Sequence, residues 1–307
     1  MDIWLILTIL AALAAAIYTF LDNYIVDVLF KGRTPQAQKA FFGPAYIVTA
    51  VLVAIFAGLE AVEWQRAVML VISGALASIS YIPYYIALGK DEATNVTIFE
   101  QLSPIFYLIL GCLILGDSIS VIQLAAFGVI LMSPLVLIFS AKRNSKNSRT
   151  KTMWLMVVKV IISSLGCVLA VKFGSGIDTI TMLFYVMLGK GLCDVILMLM
   201  FKKWRKRFND IAKREKNKAK FFGIFLIDHV VWLVSDFTYY IALTLAPAVA
   251  MVSAVTKSLQ PILVFVLGII LTILWPKFGR EKNDRRTIIA HFVATLLAVV
   301  GIILLQM

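Results

Sequence analysis

The sequence predicts an all-α integral membrane protein with ten transmembrane helices, arranged as two five-helix inverted repeats. Three observations predict it. First, 61% of the 307 residues are hydrophobic and the mean hydropathy is +0.94, more apolar surface than a soluble chain of this length can cover with polar groups. Second, the apolar residues fall in runs of roughly 17–25, the length that crosses a bilayer as a helix. Third, Tyr-Tyr-Ile-Ala-Leu occurs at 84–88 and again at 239–243, an offset of 155 residues. Each copy is followed by a related proline segment, Phe99-Glu100-Gln101-Leu102-Ser103-Pro104-Ile105 and Thr256-Lys257-Ser258-Leu259-Gln260-Pro261-Ile262, at an offset of 157.

Each span must be a helix, because lipid cannot satisfy an open backbone and the alternation of a barrel is absent. Span 1 covers 3–21, opening on Trp4-Leu5 and ending at Asp22-Asn23, which read as interfacial capping residues. Span 2, 41–58, follows Lys31, Arg33 and Lys39. Span 3, 67–88, carries Ser73, Ser80, Tyr81, Tyr84 and Tyr85 on one stripe. Span 4, 94–115, and span 5, 119–140, are apolar around Pro104 and Pro134. Span 6, 153–171, opens on Trp154-Leu155 as span 1 does on Trp4-Leu5, and Lys159 is expected to snorkel to the interface. Span 7, 179–201, holds Lys190 and Asp194 four residues apart, a spacing at which they neutralise each other. Span 8, 222–244, places Asp228, Trp232, Ser235, Asp236, Tyr239 and Tyr240 at helical spacing, with Asp228 and His229 read as hydrated near its end. Span 9 is 248–274, and span 10, 287–306, contains His291 as a packing or hydrogen-bonding residue. Prolines 44, 83, 104, 134 and 261 are tolerated where neighbouring helices satisfy the freed carbonyls.

Charge sets the direction. Of 29 Lys and Arg, 24 lie in the odd-to-even connections, Arg66 and Lys172 lie on the other side, and Lys159, Lys190 and Lys257 lie within spans. The bias puts those connections in the cytoplasm and both termini outside, in a multi-pass protein of the plasma (inner) membrane. Five spans per half is an odd number, so the halves insert in opposite directions. The domains expected are a first repeat over 1–141, a linker over 142–152 and a second repeat over 153–307. The net charge of +12 follows from these loops and does not call for nucleic acid. The basic stretch 202–220 repeats Trp204, Phe208 and Ile211 at four and three. It reads either as an amphipathic helix on anionic lipid or as a plain topogenic loop. Cys112, Cys167 and Cys193 have no metal spacing and read as packing residues.

An ionisable group deep in a bilayer costs about 2.5–3.5 kcal/mol, so such groups mark function or pair with one another. Glu100 and Lys257 stand at matched positions of the two proline segments with opposite charge. Thr97, Glu100, Gln101, Pro104 and Tyr107 share one helical face; Ser253, Thr256, Lys257, Gln260 and Pro261 share the corresponding one. Two readings stand. The pair closes the bundle as a structural ion pair, or it faces a substrate cavity, with a zwitterion's ammonium at Glu100 and its carboxylate at Lys257. Protonation of Glu100 would supply proton coupling. Asp236, Trp232 and Tyr239 on span 8 suit a cationic group through charge and ring contact.

Ala87-Leu88, Ser103-Pro104, Leu115-Gly116-Asp117 and Gly128 together resemble the repeat of the drug/metabolite transporter superfamily, specifically its EamA-like members. In that repeat Ala-Leu closes the third helix, Leu-Ser-Pro opens the fourth, Leu-Gly-Glu closes it and a glycine follows in the fifth. Here Asp117 stands in the usual Glu position. The second half keeps Ala242-Leu243, Leu259-Gln260-Pro261 and Gly301, but has Leu274-Trp275-Pro276 where the Leu-Gly-Glu close would fall. The resemblance implies a five-plus-five helix fold, a central cavity, and carriage of small metabolites by alternating access.

The function expected is therefore a secondary transmembrane carrier of a small polar metabolite, an amino acid or related amine being the favoured class. Its cavity would be lined by Glu100, Lys257, Asp236, Tyr84, Tyr107, Trp232, Tyr239, Gln101 and Gln260. The alternatives are a non-transporting channel or assembly subunit, or a carrier of sugars, nucleotide-derived or drug-like molecules. An enzyme is not expected, since the two histidines fall in different spans. No cofactor or metal is expected. The partners are the small-molecule substrate, membrane lipids, protons as a coupling ion and a second copy of the chain.

Overall fold

The computed structural model describes residues 2–31, 34–90, 96, 99–140, 146–215, 217–274 and 285–305. Helix α1 (Ile3–Tyr24) runs into a π-helical segment, Ile25–Leu29. A 3-10 turn, Pro35–Gln38, leads into α2 (Lys39–Ala57), followed by α3 (Trp64–Leu88). Helix α4 (Ser103–Leu110) continues as a π-helix over Gly111–Leu115. Then come α5 (Val121–Ser140), α6 (Lys146–Gly174), α7 (Thr179–Met200) and α8 (Lys202–Arg214). Helices α9 (Lys218–Leu245), α10 (Val249–Leu274) and α11 (Arg285–Leu305) complete the chain.

Among the described residues there are thus eleven α-helices where ten were expected, and the additional one is α8. Seven helical stretches are long and apolar enough to cross a bilayer: Ile3–Tyr24, Gln36–Ala57, Trp64–Leu88, Lys151–Gly174, Thr179–Met200, Lys218–Leu245 and Val249–Ile270. Ser103–Leu115 and Phe292–Gly301 are apolar but shorter.

The polarity of the molecule is that of a membrane protein. Its outside carries large exposed apolar side chains such as Phe56, Leu113, Trp64 and Val121, while Asp22, Glu100, Lys159, Lys190 and Asp194 are buried. Lipid solvates the first group, and protein must satisfy the second.

The packing follows. Helix α1 lies against α9 and α10, α2 against α7, α3 against α6 and α7, α4 against α10 and α6, and α5 against α11. The α3–α7 contact is backbone to backbone. A Cβ on Gly74 would stand 2.0 Å from the Val186 carbonyl oxygen, and one on Gly189 would stand 2.1 Å from that of Val71. Small residues permit that approach where apolar burial gives no drive within lipid. Caps mark two helix starts. The Asp178 carboxylate accepts the Ile180 and Thr181 amides at 3.0 and 3.1 Å, and Asn217 accepts Lys220 N–H at 2.9 Å.

The fourth span departs from expectation. Glu100 ends a helical piece, Gln101-Leu102 form a turn, and α4 restarts at Ser103 with Pro104 in its first turn. Proline lacks an N–H and disfavours helix in the residue before it, so it starts a helix more readily than it continues one. Pro44, Pro83 and Pro261 do lie inside helices, as expected. Helix α6 begins at Lys146, seven residues before the expected span and inside the expected linker.

Helix α8 is the amphipathic helix of the basic loop, but its apolar face covers protein. Phe208 is buried against Phe221 and Phe225 at centroid separations of 5.9 and 5.7 Å. Arg207 donates to the Phe30 carbonyl at 3.1 Å, tying α8 to the end of the first helix.

Candidate functional site

Glu100 stands between two lysines. Its carboxylate lies 2.5 Å from Lys159 Nζ on α6 and 2.9 Å from Lys257 Nζ on α10. The Lys257 ammonium also donates to Gln260 Oε1 at 3.0 Å, and Gln260 Nε2 donates to Thr19 Oγ1 on α1 at 3.4 Å. The expected Glu100–Lys257 meeting is present. The expected snorkelling of Lys159 is not, because its side chain turns inward and is 6% exposed. A carboxylate buried with one ammonium still has an oxygen to satisfy, and Lys159 satisfies it.

Two further ion pairs join α2 to α7 and α7 to α9. Lys39 at the start of α2 is 2.6 Å from Asp194 on α7 and also donates to the Ser78 carbonyl and hydroxyl, both at 2.9 Å. Lys190 pairs with Asp236 on α9. The expected Lys190–Asp194 neutralisation along α7 is therefore wrong. Both side chains are buried, and each takes a partner from a different packed helix. Lys39, counted as a loop cation, is a buried site residue.

The aromatic groups divide into two sets. Trp232 stacks on Tyr18 at 3.8 Å and 14°, and Tyr81 meets it edge-on at 4.7 Å. Tyr84 donates to Asp22 Oδ2 at 3.3 Å, while Lys159 Nζ lies 5.7 Å and 5.9 Å from the Tyr81 and Tyr84 rings. Between this set and the ion pairs is a narrow cavity of ≈ 10 Å³, lined by Lys39, Tyr46, Tyr81, Lys190, Asp194 and Trp232 among others. That is room for about one water. Tyr107 and Tyr239 join the other set, an apolar cluster with Cys167 and Tyr240. Of the nine residues expected to line a cavity, Trp232 lines this one; Glu100, Lys257 and Gln260 form the ion-pair cluster, Tyr84 bonds Asp22, Asp236 holds Lys190, and Tyr107 and Tyr239 pack in the apolar cluster. Gln101 is buried, and neither amide atom has a partner among the described residues.

Several individual readings change. Asp22 is wholly buried and caps nothing. Asp228 is also wholly buried, not hydrated, and neither of its oxygens has a hydrogen-bond partner among the described residues. His229 Nε2 lies 3.1 Å from Thr49 Oγ1. Cys167 is buried as expected, while Cys112 is exposed. Thr97 and the side chain of His291 lie outside the described residues.

The EamA-like transporter family matches residues 2–139, which span α1 to α5. Over those residues the chain is similar to a family of membrane transporters and not of enzymes. Across the whole length, a crystal structure of 13% identity superposes with a TM-score of 0.65, covering 97% of this chain and 94% of its own. That likeness concerns the fold alone. No curated protein matches the chain.

The Leu115-Gly116-Asp117 close of the matched region has a physical basis. Gly116 adopts φ +77°, which ends the π-helix in a left-handed turn. The turn carries Asp117 back, so that its N–H reaches the Gly111 carbonyl at 3.3 Å and its carboxylate accepts the first amide of α10, Val249 N–H, at 3.3 Å. An acid there satisfies one orphan amide and meets the positive end of α10. Partial burial raises the Asp117 carboxyl above the usual carboxylate range, and the Val249 hydrogen bond opposes that rise.

Proposed function

We propose that this chain is an EamA-like transporter, a secondary carrier of a small polar metabolite, an amino acid or related zwitterion. It works by alternating access between two inverted five-helix repeats, 1–141 and 153–307, joined across 142–152. The ten spans are α1–α7 and α9–α11, with both termini outside the cytoplasm.

One observation carries the reading. Two buried ion pairs each join positions one repeat apart: Lys39 with Asp194, an offset of 155, and Glu100 with Lys257, an offset of 157. A pseudo-two-fold axis in the membrane plane brings equivalent positions face to face, and transporter sites sit on that axis. The helix contacts support it. Helices α2, α4 and α5 each meet their own equivalents, α7, α10 and α11, and α6 packs on α3 as α1 packs on α9.

The charge arrangement suits a zwitterion. Glu100 has two lysines, so a cargo carboxylate can take Lys257 while Lys159 remains on Glu100. The ammonium then meets Glu100 and the faces of Tyr81 and Trp232. The cavity beside Lys39, Lys190 and Asp194 holds ≈ 10 Å³ among the described residues, so cargo enters when the helices joined by these pairs separate.

Saturable uptake and counterflow of radiolabelled neutral amino acids in proteoliposomes test the carrier reading, and flux without counterflow points to a channel. A thermal-shift comparison tests the zwitterion. Amino acids should stabilise the native protein and lose that effect in Lys257→Ala, while their decarboxylated amines should act equally on both. Equal stabilisation of both forms by the amino acids removes the zwitterion reading.

A further inference from the structure

The ion pairs leave two buried acids unused. Asp22 on α1 and Asp228 on α9 are each fully buried. Asp22 Oδ2 accepts Tyr84 O–H at 3.3 Å, while Asp22 Oδ1 and both Asp228 oxygens have no partner among the described residues. The two acids are close by register. Helices α1 and α9 pack antiparallel: Ser235 Oγ donates to the Ala11 carbonyl at 3.1 Å, and Trp232 stacks on Tyr18 at 3.8 Å. One turn further, about 5.4 Å along each axis, Asp22 stands opposite Asp228. The Trp232 indole N–H, 3% exposed, lies beside the Asp22 carboxyl without reaching a hydrogen-bond partner.

Charge balance says how these acids are held. Among the described residues the interior holds Lys39, Lys159, Lys190 and the half-buried Lys257 against Asp22, Glu100, Asp194, Asp228 and the half-buried Asp236. His229 adds no charge. With the Thr49 hydroxyl donating to the Ala45 carbonyl at 2.9 Å, a neutral His229 carrying its proton on Nε2 satisfies the 3.1 Å contact with Thr49 Oγ1, and Nδ1 has no partner among the described residues. Each of these four lysines has a carboxylate other than these two. Two ionised acids facing each other in low dielectric repel strongly, and one proton between them removes both the repulsion and the excess charge.

We propose that Asp22 and Asp228 share a single proton, and that this pair is the proton-coupling site of the carrier, in place of Glu100. The inference rests on the carrier reading for its second half. On opening, water enters, the proton leaves a carboxyl for it, and both carboxylates stand ionised and hydrated; on closing, one proton returns to the pair and restores the neutral interior. The groups facing the pair are Tyr18 on α1, Tyr46 on α2, Tyr84 and Tyr85 on α3, and Glu100 before α4. Lys159 on α6 reaches toward it over the Tyr84 ring, and Lys257 on α10 is linked to α1 through Gln260 and Thr19. Both lysines are held by Glu100, which is why Glu100 is a poor proton carrier and the Asp22–Asp228 pair a good one.

Infrared spectroscopy of the purified native protein tests the pair without any substrate. A protonated-carboxyl C=O band, shifted in D₂O, should persist above the pH at which exposed carboxyls ionise. It should vanish in Asp22→Asn and in Asp228→Asn, each of which keeps the interior neutral. The double Asn variant leaves one lysine charge unbalanced and should melt below either single variant. Absence of the band, or its survival in both single variants, overturns the shared proton. In proteoliposomes, pH-gradient-driven uptake of a radiolabelled neutral amino-acid mixture should be lost in both single variants while gradient-free exchange continues. Gradient-driven uptake that survives in both overturns the coupling role. If the native protein moves none of the mixture, the amino-acid reading fails, and the infrared band still decides the proton pair.

Discussion

Glu100→Gln is the sharpest test of the central cluster. The substitution keeps shape and volume, so packing changes little. It removes the one carboxylate that two ammonium groups approach at 2.5 and 2.9 Å. At such separations and an effective dielectric of ~20, each contact is worth roughly 6 kcal/mol of gross attraction, most of it offset by the desolvation of both partners. The measurable quantity is the cost of leaving buried charge uncompensated, about 3–5 kcal/mol for a broken buried pair. Lys257 retains Gln260 as a partner, whereas the contacts left to Lys159 among the described residues are the Tyr81 and Tyr84 rings. The loss should therefore stay near that range rather than double it. It corresponds to a fall in melting temperature on the order of 10 °C. Thermal melting of the detergent-solubilised protein, followed by tryptophan fluorescence, reads it directly. The double variant Glu100→Gln/Lys159→Met removes the stranded cation and should recover at least half of the drop. A single variant melting within ~2 °C of the native protein, or a double variant with no recovery, refutes the claim that buried charge pairing holds this cluster.

Asp117→Ala should destabilise by about 1 kcal/mol through loss of the cap on α10, seen as lower protection of the Val249 amide in hydrogen exchange. Because burial raises the folded-state value of Asp117, the folded protein holds that proton more tightly than the unfolded chain. Stability should then decline as pH rises from the ordinary carboxylate range through the raised value and level off above it. Asp117→Asn should flatten that slope in pH-dependent melting curves. Phe208→Ala removes the buried anchor of α8 and should cost about 3–5 kcal/mol at that contact. Undocking should show as faster tryptic cleavage after Lys206 and Arg207 with α1–α7 left intact.

Much of this was legible in the sequence, and the failures have physical causes. Helix ends followed hydrophobic runs closely: α3 ends at Leu88 and α7 starts at Thr179, as expected. The Glu100–Lys257 pairing was legible because the duplicated proline segments align those positions. Lys39 was missed because counting loop cations assigns every lysine near a span end to water. The signal was present, since Lys39 and Asp194 differ by 155, the offset of the Tyr-Tyr-Ile-Ala-Leu copies. Lys159 and Lys190 misled for a related reason. Sequence spacing ranks neighbours on the same helix first, while burial gives a long side chain to whichever packed helix offers a carboxylate. The break before Pro104 was hidden by continuous apolarity, which lipid exposure imposes on helix and turn alike.

The two axial pairs carry a further consequence for assembly. On the inverted-repeat reading, equivalent positions face each other across the axis, so identical residues there would set like charges in contact. The halves instead have opposite signs: Lys39 and Glu100 in the first, Asp194 and Lys257 in the second. Alone, the first half would insert Lys39 and Glu100, and the second Lys159, Asp194 and Lys257, without the partners they have across the halves, at about 2.5–3.5 kcal/mol apiece. Joining the halves removes those costs together, which makes the pairs a device for matching one half to the other. If matching depends on complementarity and not on which half holds which sign, the exchange Lys39→Asp/Asp194→Lys should fold, while either substitution alone should not. The comparison is made by the monodisperse fraction on size-exclusion chromatography. The packing around the pair is asymmetric, with Ser78 bonded to Lys39, so the exchanged protein should recover yield incompletely. An exchange no better than the worse single variant would mean that the surrounding side chains, and not the sign complementarity, decide how the halves meet.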